Sequence, residues 1–353
     1  MKLFKKILVF AAIGLVLIIT VPLLIGQILR FTAAVEPPPG KLVDMGGYKL
    51  HINCIGPTQP TDEDLPTVVF ESGAGTPSPN YHWVQKAVAE KTKVCVYDRA
   101  GLAWSEESNK PRDAETVNSA LHTLLEKEGI KRPFVFAGHS IAGLYMRSYV
   151  ERYPDDVAGL VFIDPSHPDQ LERTGLTKDK AEQMIDQAKT QISILQWMIA
   201  LGVTEVYNPV VQMSPDYAAA PEDIQRQLSY LTKKSANYDA ALAEIAGFPN
   251  AAKQAALNKN LGDRPIVVIS ATEEMPDGML PEGISKEEFM KEFIKLHEEI
   301  AALSTRSEHV KIETADHMGI VTNKENAEKV VPYIIKVARE SMKKPADSEE
   351  PEE

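Results

Sequence analysis

Phe134-Val-Phe-Ala-Gly-His-Ser-Ile-Ala-Gly-Leu-Tyr-Met-Arg147 is the stretch that decides how this chain reads. Its apolar, strand-like run breaks at Gly138, and a helical pattern begins just past Ser140. A serine at such a strand-to-helix turn is lifted out of the sheet, with its hydroxyl exposed and the first free amides of the helix beside it. That is the position of a nucleophile. The turn is tight, so side chains two before and two after the serine would collide with the strand, the helix or each other. Gly138 and Ala142 stand there, followed at once by Gly143. Ala142 departs from the usual G-x-S-x-G by one methyl group.

A string this short gains its meaning from its surroundings. Upstream, Val43 to Met45 and Tyr48 to Ile55, joined at Gly46-Gly47, read as a β-hairpin. Thr67 to Glu71 is a buried strand running into Ser72-Gly-Ala-Gly75, followed by a helical pattern near Tyr81 to Lys91 and a strand at Val94 to Tyr97. Asp98-Arg-Ala-Gly-Leu-Ala-Trp-Ser105 comes next, then a helix from about Asp113 to Glu128. Downstream lie strands at Leu160 to Ile163, Ile266 to Ile269 and His309 to Glu313, with a last helix from near Lys324. Strands alternating with helices of ten or more residues imply a mostly parallel sheet covered on both faces.

Taken together, these pieces resemble an α/β-hydrolase. The matching features are the Gly-rich loop Ser72 to Gly75, the D-R-x-G-x-x-x-S stretch Asp98 to Ser105, and the serine turn. They continue with Tyr153-Pro-Asp-Asp-Val-Ala-Gly-Leu-Val-Phe-Ile-Asp164 and a late histidine followed by a helix. The resemblance spans Val43 to Arg339. It implies an α/β core over residues 43–164 and 264–340 and a helical cap over 165–263. It also implies a strand order that brings Cys54 close to Cys95. Two buried thiols are expected there, since strained cross-strand disulfides are uncommon.

In this family the acid and the histidine follow the serine in chain order, which leaves His167, His297, His309 and His317. His297 falls mid-helix, behind the capping box Ser285-Lys-Glu-Glu288, and His309 begins a strand. His317 lies in the loop Thr314-Ala-Asp-His-Met-Gly319, off the strand ends, where a base reaches a serine on the same rim. For the acid, Asp164 ends the strand after the serine's helix. Glu274 is the alternative, after the next strand, where Ala271-Thr-Glu-Glu274 replaces the usual Gly-x-x-Asp. The resemblance implies that Ser140 attacks a carbonyl, His317 carries the proton and the carboxylate holds the imidazole. The backbone amides of Ile141 and Ala74 would hold the oxyanion. The implied reaction is cleavage of a carboxylic ester, amide or lactone in a small acyl substrate. A peptidase, lyase or peroxidase-type relative using the same triad, or a silent binding protein on the same fold, are the alternatives. A neutral histidine base implies activity falling on the acid side, near about pH 6 to 7.

Composition narrows the rest. The 353 residues are 44% hydrophobic with a formal net charge of -12, and no block of Lys and Arg suggests a nucleic-acid partner. With two cysteines and no H-E-x-x-H, neither a metal site nor a cofactor is indicated. Lys2, Lys5 and Lys6 precede the uncharged apolar run Ile7 to Leu29, long enough to cross a bilayer. Residues 1–30 therefore read as a transmembrane signal anchor, N-terminus cytoplasmic and the body outside the cytoplasm. The alternative is a signal peptide cleaved near Thr32-Ala33-Ala34. Residues 31–42 form a Pro-rich linker, and 341–353 an acidic tail with nothing to bury. Within the cap, Ile192 to Val203 is apolar on most sides and reads as its buried core; the sharper alternative is an acyl-binding wall or a membrane-facing patch. Trp83, Trp104 and Tyr145 are read as core.

Overall fold

The computed structural model describes residues 2–57, 59, 63–212, 214–273, 280 and 283–343. Eight strands form one sheet: β1 (Lys41–Asp44), β2 (Lys49–Ile55), β3 (Val68–Glu71), β4 (Val94–Tyr97), β5 (Phe134–His139), β6 (Val157–Ile163), β7 (Gly262–Ala271) and β8 (Ser304–Ile312). Their order is β1-β2-β4-β3-β5-β6-β7-β8. Only β2 runs against its neighbours β1 and β4; the other pairings are parallel. This is the mostly parallel sheet that the alternating pattern implies.

The helices that cover it are α2 (His82–Ala89), α3 (Ala114–Lys127), α4 (Ala142–Arg152), α12 (Lys286–Ala301) and α14 (Lys324–Glu340), the last preceded by the single turn α13 (Gly319–Thr322). Side chains alternate across a strand, so each central strand feeds two cores. Val68 and Phe70 pack with Val84 and Val88 of α2 and Val330 and Ile334 of α14. Val69, between them, faces the other way, with Leu121 and Leu125 of α3 and Met146 and Tyr149 of α4. Local caps agree: Asp113 accepts from Thr116 N and Ser285 from Glu288 N, so both helices begin where the sequence provides a capping oxygen.

The remaining helices are α1 (Lys2–Thr32) and, between β6 and β7, α5 (Gln170–Arg173), α6 (Lys178–Ala200), α7 (Val203–Val206), α8 (Pro209–Gln212), α9 (Pro215–Ala219), α10 (Glu222–Leu231) and α11 (Ser235–Ala255). The chain divides into two compact units, Met1–Pro37 with Gln187–Ser235, and Pro38–Asp186 with Ala236–Glu353. The stretch 165–263 is thus shared between them. Between α10 and α11 the Thr232 hydroxyl turns back onto Leu228 O and accepts from Asn208 Nδ2. Helix α11 continues through Pro249.

Two expectations are corrected. Cys54 and Cys95 are joined in a disulfide rather than left as thiols. The register places them directly opposite each other on β2 and β4 with Cα atoms 4.0 Å apart, the close kind of antiparallel pair, in which facing side chains lie nearest. The apolar run Ile192 to Val203 is not simply buried core: Ile199 is buried, but Trp197 is 68% exposed and Ile194 59%. Tyr145 and Trp104 are buried as expected, and Trp83 is half-buried.

Candidate active site

Ser140 occupies the turn between β5 and α4 with φ at +61°, a left-handed conformation that costs an L-residue about 1–2 kcal/mol. The turn is held from several sides. Ser140 N donates to Ile163 O at 3.1 Å, while Ser140 O accepts from Gly143 N at 3.0 Å and Ser166 N at 2.8 Å. A Cβ on Gly138 would lie 2.5 Å from Met146 Sδ and 2.6 Å from the Ala142 methyl, so Gly138 must stay bare to leave Ala142 its room.

His317 stands in the loop between β8 and α13, where its Nε2 lies 3.0 Å from Ser140 Oγ across 177 positions of sequence. Its Nδ1 lies 2.5 Å from Asp164 Oδ2. Asp164 follows the end of β6 with φ at +43° and is 3% exposed. Its backbone N–H donates to Ile269 O at 2.6 Å, and its second carboxylate oxygen accepts from Ala271 N at 2.9 Å. Both atoms of the turn are therefore tied to β7, which aims the carboxylate at the imidazole. The structure brings Ser140, His317 and Asp164 into one hydrogen-bonded line. Glu274, the alternative acid, lies outside the described residues.

The electrostatics of the pair follow from its partners. Removal from water pulls the His317 pKa down, but the hydrogen bond and charge of Asp164, joined by the charge of Asp316, leave it above the ordinary histidine value. Burial pushes Asp164 up, yet His317 holds it below the usual carboxylate range. The His317 side chain keeps 45% of its exposure, so the line ends at an accessible edge.

The loop Ser72 to Gly75 passes beside the serine: a Cβ on Gly73 would lie 3.3 Å from Ser140 Cβ. Gly73 N donates to Tyr81 Oη at 2.6 Å and Gly75 N to Glu244 Oε2 at 2.8 Å. Among the described residues, the N–H groups of Ala74 and of Ile141, which precedes α4, meet no acceptor. Two backbone donors are thus left open, one in the serine turn and one in the Ser72 to Gly75 loop.

Three supports escaped the sequence reading. His139, buried and driven by desolvation to a pKa of about 3, donates its Nε2–H to His317 O at 2.7 Å and fixes the histidine loop from below. Arg99 and Glu244 brace the Ser72 to Gly75 loop through a buried ion pair. Only Arg99, inside the D-R-x-G stretch, carried a signal; Glu244 sits in an unremarkable helical pattern. The other histidines lie apart from the line. His297 is buried between Ser270 Oγ at 2.6 Å and Pro165 O at 2.9 Å, His309 reaches Ser270 Oγ at 2.8 Å, and His167 accepts from Asp169 N at 3.1 Å. Among the described residues, no group of three or more His, Cys, Asp and Glu is placed to hold a metal.

Comparison with known proteins places the fold. The family described as alpha/beta hydrolase fold matches residues 66–324, well over half of the chain. An uncharacterized Bacillus subtilis protein, YbdG, is 25% identical over 274 residues, covering 76% of this chain and 80% of its own. Among solved structures, a thermophilic esterase from Thermogutta terrifontis aligns with a TM-score of 0.55 at 19% identity, over 86% of this chain and all of its own (100%). A Pseudomonas aeruginosa protein described as a candidate epoxide hydrolase aligns with a TM-score of 0.59 at 15% identity, over 88% of this chain and 100% of its own. At such identities the structural likeness speaks for the fold. With the family match, the eight-stranded sheet and the serine turn in agreement, the chain belongs to the alpha/beta hydrolase fold family.

Proposed function

We propose that this chain is a membrane-anchored serine hydrolase that cleaves a carboxylic ester, or an amide or lactone, in a small acyl substrate. The observation that carries this reading is the line Ser140 Oγ, His317 Nε2, His317 Nδ1, Asp164 Oδ2, with its 3.0 and 2.5 Å spacings. Ser140 Oγ attacks the carbonyl carbon as His317 Nε2 takes its proton, and Asp164 steadies the imidazolium. The oxyanion settles between the N–H groups of Ile141 and Ala74. Collapse expels the leaving group, which takes the proton from His317; water, deprotonated by the same nitrogen, then frees the acid from the acyl-serine. A hydroxyl at position 140 favours acyl transfer over epoxide opening, which on this fold uses a carboxylate nucleophile.

The anchor rests on α1, a helix long enough to cross a bilayer, in which an 18-residue window has a mean hydropathy of 3.0 and none of that window is buried. The Cys54–Cys95 disulfide supports placing the catalytic unit on the oxidising side of the membrane. A fluorophosphonate probe tests the reaction. Ser140 should be labelled in the full-length protein, and labelling should vanish in Ser140→Ala and His317→Ala. Well-folded protein that takes no label would instead be a binding protein on a hydrolase scaffold.

A further inference from the structure

We propose that the end of α6 and the turn that follows it, with Ile194, Trp197, Leu201, Val206 and Tyr207, lie in the headgroup region of the membrane that α1 crosses. The proposal deepens the anchor reading above and rests on it.

The end of α1 is locked to the end of α6. Gln27 Nε2 and Arg30 Nη1 both donate to Ala200 O at 2.8 Å. That carbonyl belongs to the last turn of α6, where helix oxygens lack partners and a positive charge is favoured. One residue pair brings the backbones together: a Cβ on Gly26 would lie 2.2 Å from Gly202 O, and a Cβ on Gly202 2.5 Å from the Gly26 carbonyl carbon. Small residues at such a contact are the usual way for helices to pack closely in lipid. The uncharged run of α1 ends at Leu29. Arg30 therefore marks the level at which α1 leaves the hydrocarbon, and Ala200 is held at that level.

The side chains near Ala200 suit that level. Trp197 and Ile194 precede it by one and two helical turns, about 5 and 9 Å along the axis. Trp197, Ile194, Val206, Tyr207 and Leu201 are 68, 59, 53, 48 and 44% exposed. Between Ile194 and Tyr207 the single charged residue is Glu205, and it is paired with Lys233 at 2.6 Å. Lone exposed apolar residues need no explanation, but this group adjoins the exposed apolar side chains of α1, and the charges beside it are engaged, Glu205 with Lys233 and Arg30 with Ala200 O. Trp and Tyr are the side chains that favour the membrane interface. Continuity with α1 and this composition assign the patch to lipid rather than to a second copy of the chain.

Full-length protein is reconstituted into phosphatidylcholine and phosphatidylglycerol vesicles, with or without lipid brominated high on the acyl chains, and tryptophan emission is read. Trp197→Phe leaves Trp83 and Trp104 as the internal reference. Brominated lipid should remove most of the Trp197 emission and leave the variant unchanged. Equal emission in both lipids, from protein that still floats with the vesicles after a carbonate wash, overturns the patch while the anchor stands. Emission that is unquenched but changes on protein dilution gives the patch to a second copy and also overturns it. Protein stripped from the vesicles by carbonate overturns the anchor, and the proposal falls with it.

Discussion

Glu244 on α11 accepts the Gly75 N–H at 2.8 Å and grips Arg99 with both carboxylate oxygens, Nε at 2.6 Å and Nη2 at 2.8 Å. Arg99 passes the grip on to the same loop, donating Nη1 to Ser72 O and Nη2 to Gly73 O, each at 2.7 Å. Nη1 also meets Glu71 Oε1, at 2.5 Å. The peptide that presents the Ala74 amide is thus hung from a buried ion pair. Glu244→Gln keeps the volume and one acceptor but removes one of the two carboxylate charges that face Arg99. Urea unfolding should show a loss of about 3 kcal/mol, as expected when one partner of a buried pair is neutralised. On a p-nitrophenyl ester, kcat should fall about tenfold with little change in KM, because the loop amide meets full negative charge only in the transition state. A destabilised variant with wild-type kcat would restrict the pair to a structural role.

The pH profile follows from the His317–Asp164 contact. A general base works unprotonated, and Asp164 holds the His317 pKa above its ordinary value against the downward pull of burial. The rate should therefore fall as the pH drops through that raised pKa, with the acid limb above that of an ordinary histidine. Asp164→Asn deletes the two larger raising contributions and leaves only the charge of Asp316 against burial. Its limb should move to lower pH, and its plateau should drop about ten-thousandfold. A limb and plateau untouched by Asp164→Asn, but lost in Glu274→Gln, would transfer the role of the acid to Glu274.

The parts of this site legible in the sequence are those fixed by local chemistry and chain order. The Ser140 turn announces itself through Gly138 and Gly143, and His317 through a loop that leaves a strand. Asp164 is less legible, because the direction of its carboxylate depends on Ile269 and Ala271, more than a hundred positions downstream. Glu244 was invisible. An acid among alanines on a helix reads as a solvated position, and only a partner 145 residues away makes it a buried one. Trp197 misled in the opposite sense, since apolar character says that a side chain avoids water and not what shields it. The cysteines show the same limit: strand order implied their proximity, but the bond depends on a register that places them directly opposite.

That bond closes a loop with a sequence separation of 41, for which chain-entropy arguments give about 4 kcal/mol of stabilisation as an upper figure. The Cys54→Ala, Cys95→Ala double variant should unfold at clearly lower urea, with β2 and the edge strand β1 losing amide-exchange protection first. Protein isolated from its native cells, denatured without reductant and treated with a thiol reagent should show no modification at either position. Two modified cysteines before reduction would mean that the pair stays reduced in the cell, and would remove the disulfide's support for an oxidising compartment.

The last prediction separates two neighbouring small residues in the serine turn. A methyl added at Gly143 would lie 2.6 Å from Ser166 O and 2.7 Å from Pro165 Cβ, against the segment that directly follows Asp164. Since Ser166 N also donates to Ser140 O at 2.8 Å, Gly143→Ala must displace the nucleophile turn, the acid's segment, or both. Misplacement on the scale of 1 Å lowers rates about a hundredfold, so kcat/KM should fall by that order while urea unfolding loses about 1–3 kcal/mol. Ala142→Gly works in the other direction. It restores the usual motif but empties the space against Gly138, where the Ala142 side chain is fully buried. Its expected loss is about 1 kcal/mol of stability, with activity within a few-fold of the parent chain. The two variants differ by the same single methyl, one added and one removed. Equal activity in both would mean that the packing of Gly143 on Pro165 and Ser166 does not position the acid; a large loss in Gly143→Ala alone would tie serine and aspartate together through that contact.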